Sequence, residues 1–523
     1  MIYFRIIVLC SIFIHFNDCS RILAIFPMPA ISHQSAFRPI TQELARRGHE
    51  VTVITPNPAF SKDETPKNFR EIDVHDITYE AWRKLISNLP EGNNDGLYLQ
   101  LKMILHFIIK YVEMQILSPD VQDLINNNNV TFDLILSEHC TRPALVFSHI
   151  YNVPVIEISS FGSMHGKIFA SLGAPSHPIL YPTCMHQRLF NLTMWEKINA
   201  FYNYYVLSNL IDEYEAEEDA MIKKIVGEDT PSVSELKNNV AMVFLNVHPI
   251  WEDNRPVPPN VIYMGGVHQK PEKELPQDYK SYLDASKHGV IYFSLGTSVH
   301  PSQLPRDKIQ VMLNVFSKLP YDVLWKYDKE DLPGKPSNVR IEKWIPQADL
   351  LRHPKIKLFI TQGGLQSTDE AITAGVPMVT IPMLGDQWFN AERQVYHKIA
   401  IQLNLHTMTE DIFKNAINTI IEDESYRRNI DKLRQVMHDE PQSPVERAVW
   451  WTEHVLRHGG AEHLRSPAAN MSWTQYYEIQ LLLLLLAGLV TALSIVVFIV
   501  YTLLRLISSN FVNIKIKNIG KED

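Results

Sequence analysis

The sequence predicts an α/β chain of two Rossmann-like domains facing a cleft, followed by a single C-terminal transmembrane helix. Three observations carry this prediction. Short apolar runs alternate with helical patterns through the first half of the chain. The same alternation restarts after a looser stretch at 260–288. Residues 479–504 contain no charged side chain. Short apolar strands separated by helices are the pattern of a parallel sheet covered on both faces.

Residues 1–19 read as a cleaved signal peptide: Arg5, the apolar run IIVLCSIFIHF, then small and polar NDCS. A first domain is expected at 20–265. Its strands are RILAIFPMP (21–29), HEVTVIT (49–55), FDLILSE (132–138) and VPVIEIS (153–159), with a helical pattern near 36–47 that stops at Gly48. Residues 266–288, which include PEKELPQD, read as a linker. The second domain, 289–442, supplies the strands GVIYFSLGT, DVLWKY, NVRIEKWIP, IKLFITQGG and VPMVTIP. Residues 443–477 form a return helix (443–457), expected to pack back across the domains, and a juxtamembrane segment. Residues 478–504 form the membrane helix and 505–523 the tail.

The 26 uncharged residues at 479–504 make about 39 Å of helix at 1.5 Å per residue, enough to cross a hydrocarbon core. Glu478 precedes the span, and Arg505, Lys515, Lys517 and Lys521 follow it. The positive-inside rule puts the tail in the cytosol and residues 20–477 in the lumen. Glycosylation acceptors at Asn129, Asn191 and Asn470 fit that side. Lys+Arg 49 against Asp+Glu 58 gives a net charge of −9, and no basic block points to nucleic acid. Of four cysteines, Cys10 and Cys19 fall in or at the edge of the signal; Cys140 and Cys184 leave room for one disulfide. No His/Cys/carboxylate cluster has metal-ligand spacing along the chain.

In an open parallel sheet, ligands bind beyond the carboxyl ends of the strands. The informative polar residues sit there: His33 after the first strand, Glu138 closing FDLILSE, Ser294, Gly296, Thr297 and Ser298 after VIYF, Gln362-Gly363-Gly364 after KLFIT, and Asp386-Gln387 after MVTIP. The glycine pair opens the helix LQSTDEAITA, whose first N–H groups favour a phosphate. Ser367 and Glu370 also have capping-box spacing, so a cap competes with a ligand role for Glu370. The loop PAISHQSAF lacks the glycines of a dinucleotide fingerprint, which argues against a nicotinamide oxidoreductase. Topology would let Glu138 fix the tautomer of His33, which could then accept a proton from a hydroxyl. Trp344 and Gln347, after the strand NVRIEK, offer a stacking surface and an edge-reading amide.

Residues 344–395 closely resemble the donor-binding signature of the UDP-glycosyltransferases, the membrane-bound family that includes UDP-glucuronosyltransferases. SHQSAF with RRGHEVTV, FSLGT, WTEHVLRHGGAEHLR and the single membrane helix extend the likeness over nearly the whole chain, which is closer in character to insect members than to vertebrate ones. The resemblance implies a GT-B fold, with an N-terminal acceptor domain, a C-terminal UDP-sugar domain and inverting transfer without metal or cofactor. It implies His33 as the base and Glu138 as its partner. Trp344 would stack on uracil, helped by Gln347; Glu370 would bind ribose; Gly364, Ser367 and Ser298 would bind diphosphate; Asp386 and Gln387 would hold sugar hydroxyls. Ser294, Gly296, Thr297, Ile345, Gln362, Gly363 and Gln366 complete the expected donor site. Gln362 departs from the family's usual His, and Glu138 from its usual Asp. UDP-glucose is the expected donor, UDP-glucuronate the second, with a small lipophilic acceptor chosen by loops such as 161–182. Endoplasmic reticulum residence and contact with membrane lipid follow from the likeness; a homo- or hetero-oligomer is left open. The competing reading is a membrane-anchored UDP-sugar or lipid-binding protein without turnover.

Overall fold

A computed structural model describes residues 19–61, 63–86, 97–162, 165–297 and 299–519; the body of the expected signal peptide lies outside them. The described residues form two compact units divided after Ser466.

The first sheet holds β1 (Arg21–Ile25), β2 (Glu50–Thr55), β3 (Phe69–Asp73), β4 (Leu134–Glu138), β5 (Val155–Ser159), β6 (Val240–Leu245) and β7 (Val261–Tyr263), in the order β3-β2-β1-β4-β5-β6-β7. The second holds β8 (Val290–Ser294), β9 (Asp322–Lys326), β10 (Val339–Glu342), β11 (Ile356–Thr361), β12 (Met378–Thr380) and β13 (Ala400–Gln402), in the order β10-β9-β8-β11-β12-β13. All pairs are parallel. The inner strands β4, β5 and β8 are buried at every position, as continuous apolar runs require when helices cover both faces. The chain reverses its direction of travel across each sheet at one place, between β1 and β4 and again between β8 and β11. Those are the switch points at which ligands bind in such sheets.

The helices that matter are α1 (Ile31–Arg46), α2 (Leu97–Ile116), α3 (Met194–Val226), α4 (Leu365–Ala374), α5 (Gln387–Tyr396), α6 (Pro444–His458) and α7 (Ile479–Ile519). The structure adds four strands to those the sequence predicts. β3, β7 and β13 are short edge strands, and β3 carries charges at Arg70, Glu71 and Asp73, so the periodic signal is weak. β6 follows the 33-residue α3, which breaks the strand–helix rhythm. A further helix, Gln277–Ala285, lies in the stretch expected as linker and buries Tyr279 and Leu283.

α1 also begins five residues earlier than the apolar pattern suggests, so His33 stands in a helical first turn rather than in a loop. The cause is Gln34, a buried polar residue on the inward face. Its amide donates to Phe26 O (3.0 Å) and its carbonyl accepts from Thr55 Oγ1 (3.1 Å), so a polar side chain occupies a core position. α6 returns to the first sheet: Ala448, Val449 and Val455 join the core of Ile22, Ala24, Phe37 and Ile40. Arg447 donates to Tyr263 O, and Glu453 pairs with Arg47. No disulfide joins Cys140 to Cys184.

In the second unit, α7 presents an apolar stretch, Ile479–Ser509, of 31 residues, none of it buried within the protein. At 1.5 Å per residue that is about 46 Å, more than a hydrocarbon core. The helix runs past 504, where the sequence places the start of the tail.

Candidate active site

β1 and β4 are hydrogen-bonded neighbours, with Ile25 opposite Ser137. The first switch point therefore sets the start of α1 beside the end of β4. His33 Nδ1 lies 2.5 Å from Glu138 Oε1. Glu138 is buried, and its other oxygen accepts the Met28 N–H at 3.1 Å. Cys140 Sγ donates to Oε1 from 3.6 Å. A carboxylate held from three sides fixes the imidazole proton on Nδ1 and leaves Nε2 to act as a base. The edges of Phe37 and Phe161 flank the ring. Sequence reasoning brings His33 and Glu138 together by topology; the structure makes that contact. It also shows a grouping that spacing along the chain does not reveal. Among the described residues, His33, Glu138 and Cys140 place ligand atoms within 4.8 Å of one another, although nothing in their spacing announces a cluster. Spacing detects local chelates, and this one is assembled from the first turn of α1 and the end of β4.

The second switch point builds the other half. β8 pairs with β11, Ser294 opposite Thr361, so the loops after these strands touch. Gly296 and Gly363 take φ of +75° and +88°, the left-handed region where glycine is favoured. A Cβ on Gly296 would meet Gln362 Nε2 at 2.2 Å, and one on Gly363 would meet Thr380 Cγ2 at 2.6 Å. Gln362 is thus pressed into the loop, with its buried Oε1 lacking a hydrogen-bond partner. Ser294 is buried, and its Oγ accepts from Gly296 N (3.3 Å), so it shapes the turn; Thr297 is exposed. Ser298 lies outside the described residues. α4 begins at Leu365 with Gly364 as its N-cap, no side-chain cap and no acid in its first turn, which leaves its start suited to an anion.

The capping-box reading of Ser367 and Glu370 does not hold, because Gly364 occupies the cap and Ser367 lies two residues inside the helix. Instead Gln347 Nε2 donates to Glu370 Oε2 (2.7 Å) and Ser367 Oγ (3.0 Å), while its Oε1 accepts from Tyr292 OH (2.9 Å). Burial pushes the Glu370 carboxyl up, opposed by the Gln347 amide. Ile345 is buried, whereas Trp344 is 63 % exposed, anchored by its carbonyl to Tyr279 OH (3.0 Å). Lys326 Nζ lies 4.8 Å from the Trp344 ring centroid and donates to Gly296 O at 2.9 Å. This half-buried cation was not singled out from the sequence. Its only signal is a Lys at the carboxyl end of DVLWK.

Asp386 is the N-cap residue of α5, and its Oδ2 accepts from Asn390 (2.7 Å). Burial pushes its carboxyl up; the Asn390 hydrogen bond and the charge of His33 oppose this. Gln387 commits its Oε1 to the N–H groups of Met383 and Leu384, both at 2.8 Å, leaving its NH2 for any sugar hydroxyl. Gln366 reaches the opposite wall: its Nε2 donates to Ser32 O (2.5 Å) and its Oε1 accepts from Ser35 (2.8 Å). As it stands, its amide ties α4 to α1, a contact that the donor-site expectation does not contain. Gly385 N to Gln100, and the bidentate pair of buried Arg393 with half-buried Asp253, also join the two halves. The two switch points thus face each other, with His33 on one side and the helix start on the other.

Comparisons with known proteins bear on the family and the fold. The family model described as UDP-glucoronosyl and UDP-glucosyl transferase matches residues 21–518. An ecdysteroid UDP-glucosyltransferase of Spodoptera littoralis nuclear polyhedrosis virus is 35% identical over 499 residues, covering 91% of this chain and 96% of that relative. UDP-glucosyltransferase 2 of Dactylopius coccus is 31% identical over 500 residues, 92% and 93% of the two chains. Among solved structures, a UDP-glucose:anthocyanidin 3-O-glucosyltransferase in complex with UDP superposes with a TM-score of 0.57 at 17% identity, over 84% of this chain and 99% of that one. The glycotransferase of kitacinnamycin gives 0.55 at 18% identity, over 83% and 98%. These two neighbours speak for the GT-B fold.

Proposed function

We propose a specific reaction for this chain, which belongs to the UDP-glucuronosyl and UDP-glucosyl transferase family: transfer of glucose from UDP-glucose, with inversion and without a metal ion, to a hydroxyl of a small lipophilic acceptor. The acceptor hydroxyl gives its proton to His33 Nε2 as its oxygen bonds to the anomeric carbon. The bond from that carbon to the β-phosphate oxygen breaks, and UDP leaves with the electron pair toward the start of α4. Glu138 holds the ring and stabilises the imidazolium that forms. Trp344 and the Gln347–Glu370 pair would receive the nucleoside, and Asp386 with the Gln387 NH2 would receive the sugar.

The observation that carries this reading is the 2.5 Å contact of His33 with a buried Glu138, facing a helix start of the kind that binds anions. Curated relatives named UDP-glucosyltransferases favour glucose over glucuronate. A hydroxylated polycyclic compound of the ecdysteroid kind is the first acceptor to try. We place the enzyme in the endoplasmic reticulum membrane, its catalytic half luminal.

The experiment uses microsomes carrying the full chain, each UDP-sugar, and phenolic and steroidal acceptors, with and without EDTA. Glucosyl transfer should survive EDTA and fall about 10²–10⁴-fold in His33→Ala, the usual range for a lost general base. Full activity in His33→Ala refutes the mechanism. UDP-dependent thermal stabilisation with no turnover would instead favour the binding-protein reading, for which the uncharged Gln362 speaks.

A further inference from the structure

We infer that His33, Glu138 and Cys140 form a site for a thiophilic divalent cation of the Zn2+ or Cd2+ class, and that its occupation blocks transfer. The inference rests on the reading of His33 as the base. Three different ligand atoms, an imidazole Nδ1, a carboxylate oxygen and a thiol sulfur, lie within 4.8 Å of one another. Glu138 Oε1 is the shared vertex, 2.5 Å from Nδ1 and 3.6 Å from Sγ.

A tetrahedral Zn2+ with its usual bond lengths separates N from O by about 3.4 Å and S from O by about 3.6 Å. The sulfur–oxygen edge already fits, whereas the imidazole nitrogen must move roughly 0.9 Å farther from Oε1, from 2.5 Å to about 3.4 Å, and must come to about 3.6 Å from the sulfur, from which it now lies within 4.8 Å. That movement requires side-chain torsions rather than a new backbone. Glu138 Oε2 stays on the Met28 N–H, an outer contact of the kind that orients a metal-bound carboxylate. The His33 side chain is 15 % exposed, which gives an entry path from the cleft and leaves the fourth position to water. A mixed N, O, S set selects borderline and soft ions; Mg2+ and Ca2+ prefer all-oxygen ligands.

The block follows from proton bookkeeping. Without metal, the neutral ring carries its proton on Nδ1 and accepts at Nε2. A cation bound at Nδ1 forces that proton onto Nε2, the nitrogen that must take the acceptor's proton. The thiol proton leaves to solvent as the sulfur coordinates. The ring stays neutral but has no basic nitrogen.

The test uses purified full-length protein in detergent. Free Zn2+ should inhibit glucosyl transfer by the wild type, while Mg2+ at the same concentration should not. Cys140→Ser, scored against its own metal-free rate, should need at least about tenfold more Zn2+ for the same inhibition. Co2+, as a spectroscopic probe, should give a thiolate-to-metal charge-transfer band in the wild type that is absent in Cys140→Ser. Equal Zn2+ sensitivity of the two proteins, or no band in the wild type, overturns the site. Should Cys140→Ser fail to fold, wild-type protein alone decides: Zn2+ should slow iodoacetamide labelling of Cys140, read by peptide mass, and an unchanged rate refutes the proposal. A wild type that transfers nothing in the absence of metal refutes the function instead, and leaves the band and the labelling readable.

Discussion

Gln362 concentrates the residue-scale question. Its amide is wedged against Gly296, and its buried carbonyl has no partner. A neutral donor here gives a hydrogen bond of about 1 kcal/mol, against roughly 2 kcal/mol for a charged one. Gln362→His should therefore raise kcat/KM for the UDP-sugar by about fivefold, one kcal/mol being most of a decade in rate. The gain should be larger at pH 6 than at pH 8, because only the imidazolium adds charge. Steady-state kinetics of Gln362→His and Gln362→Ala measure this, and two unchanged variants would mean that the diphosphate does not reach position 362. The nearby cation, Lys326, shows why sequence reading undervalues such sites. A lysine closing a strand looks like any solvated strand end until the neighbouring loop folds over it.

At the scale of elements, α4 carries more than the donor site. Its first turn is the proposed phosphate site, while its inner face buries Asp369 near Trp251 from the other half of the molecule. Burial pushes the Asp369 carboxyl up to about 8, opposed by the Trp251 indole N–H. Glu252 is likewise raised to about 7 by burial, with Arg255 opposing. A raised carboxyl binds its proton more tightly when folded. Below the unfolded value of 3.8 both states are protonated. Between there and about 8 the unfolded chain has released the proton and the folded one holds it, so stability falls as pH rises. The decline is at most about 1.4 kcal/mol per pH unit for each such group. Asp369→Asn should flatten the fall in Tm between pH 5 and pH 8, measured by thermal denaturation at fixed ionic strength. A slope identical to the wild type would show that Asp369 is ionised in the folded state.

The whole molecule is a two-sheet catalytic unit followed by a long apolar helix. All three potential glycosylation acceptors, Asn129, Asn191 and Asn470, are exposed, as the proposed luminal orientation requires. Expressed in insect cells, the protein should shift in electrophoretic mobility after endoglycosidase treatment, and the shift should shrink stepwise as each Asn is changed to Gln. A protein of unchanged mobility would put residues 20–477 on the cytosolic side, against the charge asymmetry around α7.

The sequence by itself determined the α/β class, the second sheet's principal strands, the helix at 365–374 and the apolar span, and it named His33 and Glu138, which the fold brings together. Each is written in local periodicity or in a contiguous motif, and local patterns survive without tertiary context. Only the tertiary structure decided the rest. It set His33 in a helical turn, because Gln34 satisfies its polar atoms inside the core. It turned a suspected Ser367–Glu370 cap into a Gln347-centred cluster, and committed Gln366 to the opposite wall. It brought Cys140 to the His33–Glu138 pair. These contacts join residues up to 334 positions apart, and parallel sheets bring such residues together through crossover connections whose partners no short window of sequence contains.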